Sequence, residues 1–89
     1  MSKTRYLLKL PTVTLIIKTP EKDLPGEFKV YGTVGSVIKN IVGYLGYDRT
    51  GYYTLHTPDG EILNPHSSLG GLGLKDGDVL YFSDRGSEV

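Results

Sequence analysis

One segment of the sequence, residues 33–46, carries the only sustained helical hydrophobic period, and it dictates what the rest of the chain must supply. Six aliphatic residues recur there at intervals that place them on one face of an α-helix: Val34, Val37, Ile38, Ile41, Val42 and Leu45. Thr33 is suited to N-cap this helix, and Gly46 can take the left-handed conformation that ends it. Gly35 and Gly43 each cost up to about 1 kcal/mol relative to alanine. The helix therefore needs a sheet to pack against.

The remaining segments read as strands and turns, which would provide that sheet. We expect strands at residues 12–19, 26–31, 52–57, 61–63 and 79–83. Residues 20–26 have the composition of a hairpin loop, and residues 57–60 have the preferred residues of a type I turn. In residues 64–75, the spacing of Leu69, Leu72 and Leu74 predicts a single helical or 3₁₀ turn across the end of the sheet. The predicted order is β-β-α-β-β-turn-β, with one mixed sheet covered on one face by one helix.

These boundaries predict one small domain with a short segment on either side. We expect a partly flexible extension at residues 1–11, the domain at residues 12–83 and a flexible tail at residues 84–89. Within the extension, residues 6–10 are apolar enough to dock on the domain or on a partner.

Composition excludes several classes of function. The chain has no cysteine, so it has no disulfide, thiolate nucleophile or cysteine-based metal site. Ten basic and ten acidic residues balance, so no global field favours nucleic acid or an anionic membrane. No apolar run reaches the length of a membrane span, and the N-terminus lacks a signal-peptide core. We expect a cytoplasmic monomer or weak dimer that neither inserts into membranes nor binds nucleic acid.

No residue pattern predicts catalysis, a cofactor or a metal. His56 and His66 have neither HxH nor HExxH spacing, and Asp76 and Asp78 lack the rest of a calcium-binding loop. Residues 32–36 precede the helix without the lysine of a P-loop. Turn formation accounts for these acids and glycines, so we predict that the protein is not an enzyme.

Tyrosines are unusually frequent, and several fall near one end of the predicted helix. These are Tyr44, Tyr47, Tyr52 and Tyr53, with Lys39 and Arg49 nearby. We interpret them mainly as a half-buried rim whose hydroxyls reach water, and a partner-binding role for some of them stays open.

Taken together, these segments resemble the ubiquitin-like β-grasp superfamily over residues 12–83. The resemblance rests on the first strand, the helix face, the tight turn after Leu55, the leucines of the 64–75 turn and the last strand. It implies an α+β fold in which a ββαββ mixed sheet packs on one helix, with a short 3₁₀ turn before the last strand. The Asp-Gly-Asp before that strand, together with the lack of a terminal Gly-Gly, is also similar to the small ubiquitin-like proteins of bacterial type VII secretion systems.

The sheet of such a fold has one face free of the helix. If the alternate residues Leu55 and Leu80 face the helix, the opposite residues face solvent. We predict a partner-binding surface there, formed by Ile16, Lys18, His56, Tyr81 and Ser83. In ubiquitin this face carries an aliphatic patch that many receptors bind. Because His56, Tyr81 and Ser83 occupy the matching positions, we do not expect ubiquitin's receptors to recognise this chain.

The C-terminus separates two functions that the resemblance implies. Conjugated ubiquitin-like proteins end in Gly-Gly, whereas this chain has a single Gly86 followed by three residues. The favoured hypothesis is a non-covalent protein-interaction module, an adaptor or accessory subunit of a larger assembly. The alternative is a protein modifier precursor that a peptidase trims to Gly86 and an activating enzyme then conjugates.

Overall fold

The computed structural model describes residues 11–86, so the apolar segment at residues 6–10 and the last three residues of the tail lie outside it. Within this range the predicted architecture is confirmed: the chain forms one mixed sheet and one helix. The elements are β1 (Thr12–Lys18), β2 (Asp23–Lys29), α1 (Val34–Leu45), β3 (Tyr52–His56) and β4 (Asp78–Gly86). The sheet order is β2-β1-β4-β3, in which β1 and β4 are parallel and the two outer pairs are antiparallel.

The ends of α1 lie where the capping residues predict them. The Thr33 hydroxyl accepts a hydrogen bond from the Ser36 N–H at 3.1 Å. Gly46 has a φ of 73°, and its N–H donates to the Val42 carbonyl. Both caps satisfy backbone groups that a helix terminus otherwise leaves unpaired.

The first turn of α1 also bonds to the loop that precedes β4. The Val34 N–H donates to the Ser67 carbonyl at 3.0 Å, and the Gly35 N–H donates to the Pro65 carbonyl at 2.9 Å. These donors already have acceptors within the chain, so the helix N-terminus does not offer them to a phosphate. This agrees with the interpretation of residues 32–36 as a turn without a phosphate-binding role.

The core lies between α1 and one face of the sheet. Its buried apolar residues are Val13, Leu15, Ile17, Val34, Val37, Ile41, Val42, Leu55, Leu63, Leu69, Leu80 and Phe82. Alternate residues of β1, β3 and β4 point into it, as the period of two predicts. Among the described residues, no helix lies on the opposite face of the sheet.

The predicted start of the second strand was wrong. β2 begins at Asp23 and includes Pro25, which pairs opposite Ile16, so the hairpin loop is shorter than residues 20–26. An edge strand tolerates proline because the side that lacks a donor can face away from the ladder. The strand also ends at Lys29 instead of residue 31, so Val30 lies in the following turn, where it packs against the core.

Two other strand predictions also need correction. Residues 61–63 do not form a strand, since only one bridge joins Ile62 to His56. The last strand does not end at Ser83 but continues to Gly86, which pairs with Tyr52 across a β-bulge. Residues 84–86 of the predicted flexible tail are thus part of the sheet.

Two of the predicted turns, at residues 64–75 and 57–60, are confirmed by their hydrogen bonds. Leu72 N–H donates to the Leu69 carbonyl at 3.2 Å, the spacing of a 3₁₀ turn. In the 57–60 turn, the Gly60 N–H donates to the Thr57 carbonyl at 2.8 Å.

Candidate functional site: the open face of the sheet

One row of side chains crosses all four strands on the face opposite α1. Lys18 pairs with Asp23 on one side and with Tyr81 on the other, and Tyr81 pairs with His56. Paired residues of neighbouring strands point to the same side of a sheet. We call Asp23, Lys18, Tyr81 and His56 the cross-strand row. The structure therefore brings together three of the five predicted binding residues and adds Asp23, which the sequence analysis assigned to a loop.

The β1–β2 end of the row is an ion pair. Lys18 Nζ lies 2.9 Å from Asp23 Oδ2, and both side chains are exposed. The hydrogen bond and the charge of Asp23 raise the pKa of the Lys18 ammonium above its usual value. An exposed pair of this kind contributes little stability, so it is available to exchange partners with an incoming surface.

The β3–β4 end of the row is aromatic. The rings of His56 and Tyr81 stack with centroids 5.6 Å apart and planes 17° from parallel. Tyr81 is 37% exposed, while Nδ1 of His56 is buried and has no hydrogen-bond partner among residues 11–86. The row thus runs from a solvated ion pair to an aromatic stack with one unsatisfied polar atom.

Ile16 and Ser83 flank the row but offer less surface than predicted. Ile16 is half-buried between its pairing partners Pro25 and Val79, so it is not the exposed apolar anchor that alternation alone predicts. Ser83 is half-buried and pairs with Thr54. Of the two predicted apolar contacts, Ile16 and Tyr81, only Tyr81 is exposed.

Arg85 belongs to this end of the sheet, although the sequence analysis placed it in the tail. Its Nε donates to the Thr54 hydroxyl at 3.1 Å, and Thr54 is 5% exposed. Gly86, the predicted conjugation residue, is exposed but held in β4: its N–H donates to the Asp84 carboxylate at 2.8 Å and its φ is 77°. No alternation of residue types signals this bulged extension of the strand.

On the helix side, two of the four tyrosines that were predicted to form a half-buried rim are half-buried. Tyr47 and Tyr53 are half-buried and stack with Phe82, with centroid separations of 5.4–6.0 Å. In contrast, Tyr44 and Tyr52 are 69% and 56% exposed, so the half-buried interpretation was wrong for these two.

The hydroxyls of the half-buried pair, Tyr47 and Tyr53, have partners within the chain. Tyr47 donates to a carboxylate oxygen of Glu21 at 2.7 Å, and Tyr53 donates to the Asp48 carbonyl at 2.7 Å. The hydrogen bond to Glu21, followed by burial, raises the pKa of Tyr47. Burial, followed by the charges of Asp84 and Asp48, raises the pKa of Tyr53. Both phenols therefore stay neutral at physiological pH and serve the fold.

The acidic residues at the start of β4 also serve the fold. An Asp76 carboxylate oxygen accepts the Thr14 N–H at 2.8 Å, and an Asp78 oxygen accepts the Lys75 N–H at 2.9 Å. Residues 11–86 contain no group of three potential metal ligands. Within the same residues, no helix is both long and apolar enough to cross a membrane.

Known structures share this architecture at low sequence identity. The ubiquitin of Caldiarchaeum subterraneum is 22% identical, with a TM-score of 0.75 over 89% of this chain and 100% of that one. The EccD5 ubiquitin-like domain of Mycobacterium xenopi is 18% identical, with a TM-score of 0.70 over 88% and 99% of the two chains. A chain of the MycP5-free ESX-5 inner membrane complex is 19% identical, with a TM-score of 0.64 over 88% of this chain and 22% of that one.

No protein-family model and no curated protein matches the sequence. The structural likeness includes a ubiquitin-like domain of a type VII secretion protein, in agreement with the finer resemblance noted in the sequence. The chain has the ubiquitin-like β-grasp fold.

Proposed function

We propose that this protein is a ubiquitin-like module that binds other proteins non-covalently, as an adaptor or accessory subunit of a larger assembly. The observation that carries the proposal is the cross-strand row, which spans a sheet face that no helix of residues 11–86 covers. The proposal includes a cytoplasmic location, a monomer or weak dimer, and no enzymatic activity or cofactor.

The aromatic end of the row has the properties of an interface anchor. Tyrosine supplies a large contact area at a small cost in conformational entropy, and interfaces concentrate binding energy in such residues. Tyr81 lies on β4, an inner strand of the sheet, so a partner centred on it also reaches Lys18 and His56. A partner group that bonds His56 Nδ1 would remove the cost of leaving a buried polar atom unpaired.

The structural comparisons support an assembly role in particular. One similar chain is part of an inner membrane complex, and the matched part is only 22% of that chain. A domain of this fold thus occurs within a larger multi-protein assembly. For the present chain, we infer that the open face contacts a protein partner.

Site-specific photo-crosslinking in the native host tests the proposal. A photoreactive phenylalanine analogue replaces Tyr81 in one variant and Tyr31 in a control, because Tyr31 is also exposed (57%) but follows β2 outside the row. We expect a discrete adduct from position 81 that is absent from position 31. A Tyr81→Ala variant should keep the fold yet lose capture of the crosslinked protein. Adducts from position 31 alone would contradict an interface on the open face.

The modifier alternative makes a different demand on the structure. Gly86 pairs with Tyr52 in β4, so it must leave the sheet before an activating enzyme can adenylate it. Incubation with a cognate activating enzyme, a peptidase and ATP, followed by mass spectrometry, distinguishes the two functions. An adduct that ends at Gly86 would overturn the adaptor proposal, whereas an unmodified chain is the expected result.

A further inference from the structure

A second surface lies on the helix side of the fold, away from the open face. It is a groove of about 690 Å³ between the outer side of α1 and the start of β3. Its lining residues are Gly35, Ile38, Lys39, Val42, Gly43, Arg49, Gly51, Tyr52, Tyr53 and Pro65. We call it the α1–β3 groove. Its volume is within the range of known ligand-binding clefts.

The floor of the groove is apolar and well supported. Val42 is 6% exposed and belongs to the core, while Ile38 and Tyr53 pack against that core. Tyr53 is further held by its stack on Phe82 and by its hydroxyl bond to Asp48. A floor built this way keeps its shape when a ligand side chain enters, which reduces the conformational cost of binding.

Gly43 leaves a notch in the helix wall that internal packing does not explain. A Cβ built at this position meets no atom within 4 Å, whereas a Cβ at Gly51 would lie 2.5 Å from the Tyr53 hydroxyl. Gly51 is therefore needed for the position of Tyr53. Gly43 instead costs helix stability without admitting any group of the described chain. The space it leaves suits a side chain from another molecule.

The charged side chains that line the groove are both positive. Lys39 and Arg49 are its only charged lining residues, both are exposed, and neither forms a salt bridge within residues 11–86. The neighbouring acid, Asp48, accepts hydrogen bonds from the N–H and hydroxyl of Thr50 at 2.8–2.9 Å. Those bonds lower the pKa of Asp48 and occupy one of its carboxylate oxygens. Two cations thus flank an apolar notch.

We propose that the α1–β3 groove binds an acidic, aliphatic peptide segment of a protein partner. An aliphatic side chain enters the notch at Gly43 and contacts Ile38 and Val42, while carboxylates on either side pair with Lys39 and Arg49. Apolar contact supplies the affinity, and the two cations select against basic peptides. This site is separate from the cross-strand row and does not depend on the function proposed for that row.

Amide chemical shifts of the ¹⁵N-labelled full chain test the proposal with three defined peptides. The probe is acetyl-Glu-Glu-Leu-Leu-Glu-Glu-amide, and the comparison peptides replace all four glutamates by lysine or both leucines by serine. Titration to about 2 mM detects dissociation constants in the millimolar range. We expect the probe to shift the amides of Ile38, Gly43, Gly51 and Tyr52, the lysine peptide to leave them unchanged, and the serine peptide to bind at least severalfold more weakly.

Matched variants separate contact from charge. Gly43→Leu should fill the notch and weaken the probe at least about tenfold, because one buried aliphatic contact is worth that much. The double variant Lys39→Glu with Arg49→Glu should weaken it by a larger factor than Lys29→Glu with Lys75→Glu, which changes the net charge equally outside the groove. Each variant's amide spectrum verifies its fold, and any variant that fails to fold is replaced by Gly43→Val or by Lys39→Gln with Arg49→Gln.

Several outcomes would overturn the proposal. These are no shift up to the highest probe concentration, equal binding of the lysine peptide, shifts confined to the open face, or equal weakening by the two charge variants. Loss of the crosslink at Tyr81 with intact groove binding would contradict only the function proposed for the open face.

Discussion

The two glycines inside α1 allow one substitution to be compared in opposite surroundings. Gly43 has open space where a Cβ would be, whereas a Cβ at Gly35 would lie 3.1 Å from the Pro65 carbonyl oxygen. That carbonyl also accepts the Gly35 N–H at 2.9 Å. We expect Gly43→Ala to stabilise the protein and Gly35→Ala to destabilise it.

The magnitudes follow from helix propensity and from the hydrogen bond. Removing glycine from an open helix position gains about 0.5–1 kcal/mol, which raises the Tm of a domain of this size by about 2–8 °C. At Gly35 the propensity gain is smaller because it is the second residue of α1. The new methyl group must displace the Pro65 carbonyl and weaken its bond, at a cost of about 0.5–1.5 kcal/mol. The two variants should differ by about 1–2 kcal/mol.

Urea unfolding followed by far-ultraviolet circular dichroism measures this difference. The midpoint should rise for Gly43→Ala and fall for Gly35→Ala, with unchanged m-values. Equal stabilisation by both substitutions would show that the contact between Pro65 and the helix is looser than described. Destabilisation by Gly43→Ala would refute the open space at that position and, with it, the notch of the α1–β3 groove.

Three further predictions concern the core and the response to pH. Leu55→Ala should cost about 2–5 kcal/mol of unfolding free energy in denaturant, because Leu55 is fully buried. The raised pKa of Tyr47 implies stability that is present below its unfolded pKa of about 10 and is lost as pH rises through the folded pKa. Glu21→Ala should lower the Tyr47 pKa in an absorbance titration at alkaline pH and reduce that contribution. The lowered pKa of Asp48 implies stability that is present above its unfolded pKa of about 3.9 and is lost as pH falls through the folded pKa. The stability difference between the wild type and Thr50→Ala should therefore shrink in acid.

Each of these predictions has a control in the same chain. Ile62→Ala, at a side chain that is 55% exposed, should change stability by less than about 0.5 kcal/mol, in contrast to Leu55→Ala. Glu61→Ala, which removes an exposed carboxylate that has no contact with Tyr47, should leave the Tyr47 pKa unchanged, in contrast to Glu21→Ala. Thr57→Ala removes a hydroxyl that accepts the Glu61 N–H and does not bond a carboxylate, so its stability difference from the wild type should not shrink in acid. A shift of the same size in a control and its partner would contradict the local cause assigned to it.

Features that depend on local chemistry were predictable from the sequence. The bounds of α1 follow from Thr33 and Gly46, whose hydrogen bonds lie within a few residues of each cap. The open-face positions of Lys18, His56 and Tyr81 follow from the period of two once the buried face is assigned.

Features that depend on strand order were not predictable in the same way. Pro25 reads locally as a turn residue, and only the edge position of β2 makes a strand compatible with it. Asp84, Arg85 and Gly86 read as a polar tail, but β3 offers them a partner strand across a bulge near Tyr52. The sequence also did not predict the α1–β3 groove, because Lys39 and Arg49 come to line the same space only in the folded chain.

The bond between the Asp76 carboxylate and the Thr14 N–H spans 62 positions in sequence and has a consequence for biosynthesis. It lies beside the parallel pairing of β1 with β4, so β1 can complete its pairing only after β4 has been synthesised. Non-local contacts of this kind slow folding because a long loop must close before they form. Until β4 leaves the ribosome, a nascent chain therefore lacks Leu80 and Phe82 of the core, and part of the apolar surface of β1 and α1 stays uncovered. Chains that stop before Asp78 should be captured by chaperones or aggregate, rather than form a smaller stable unit.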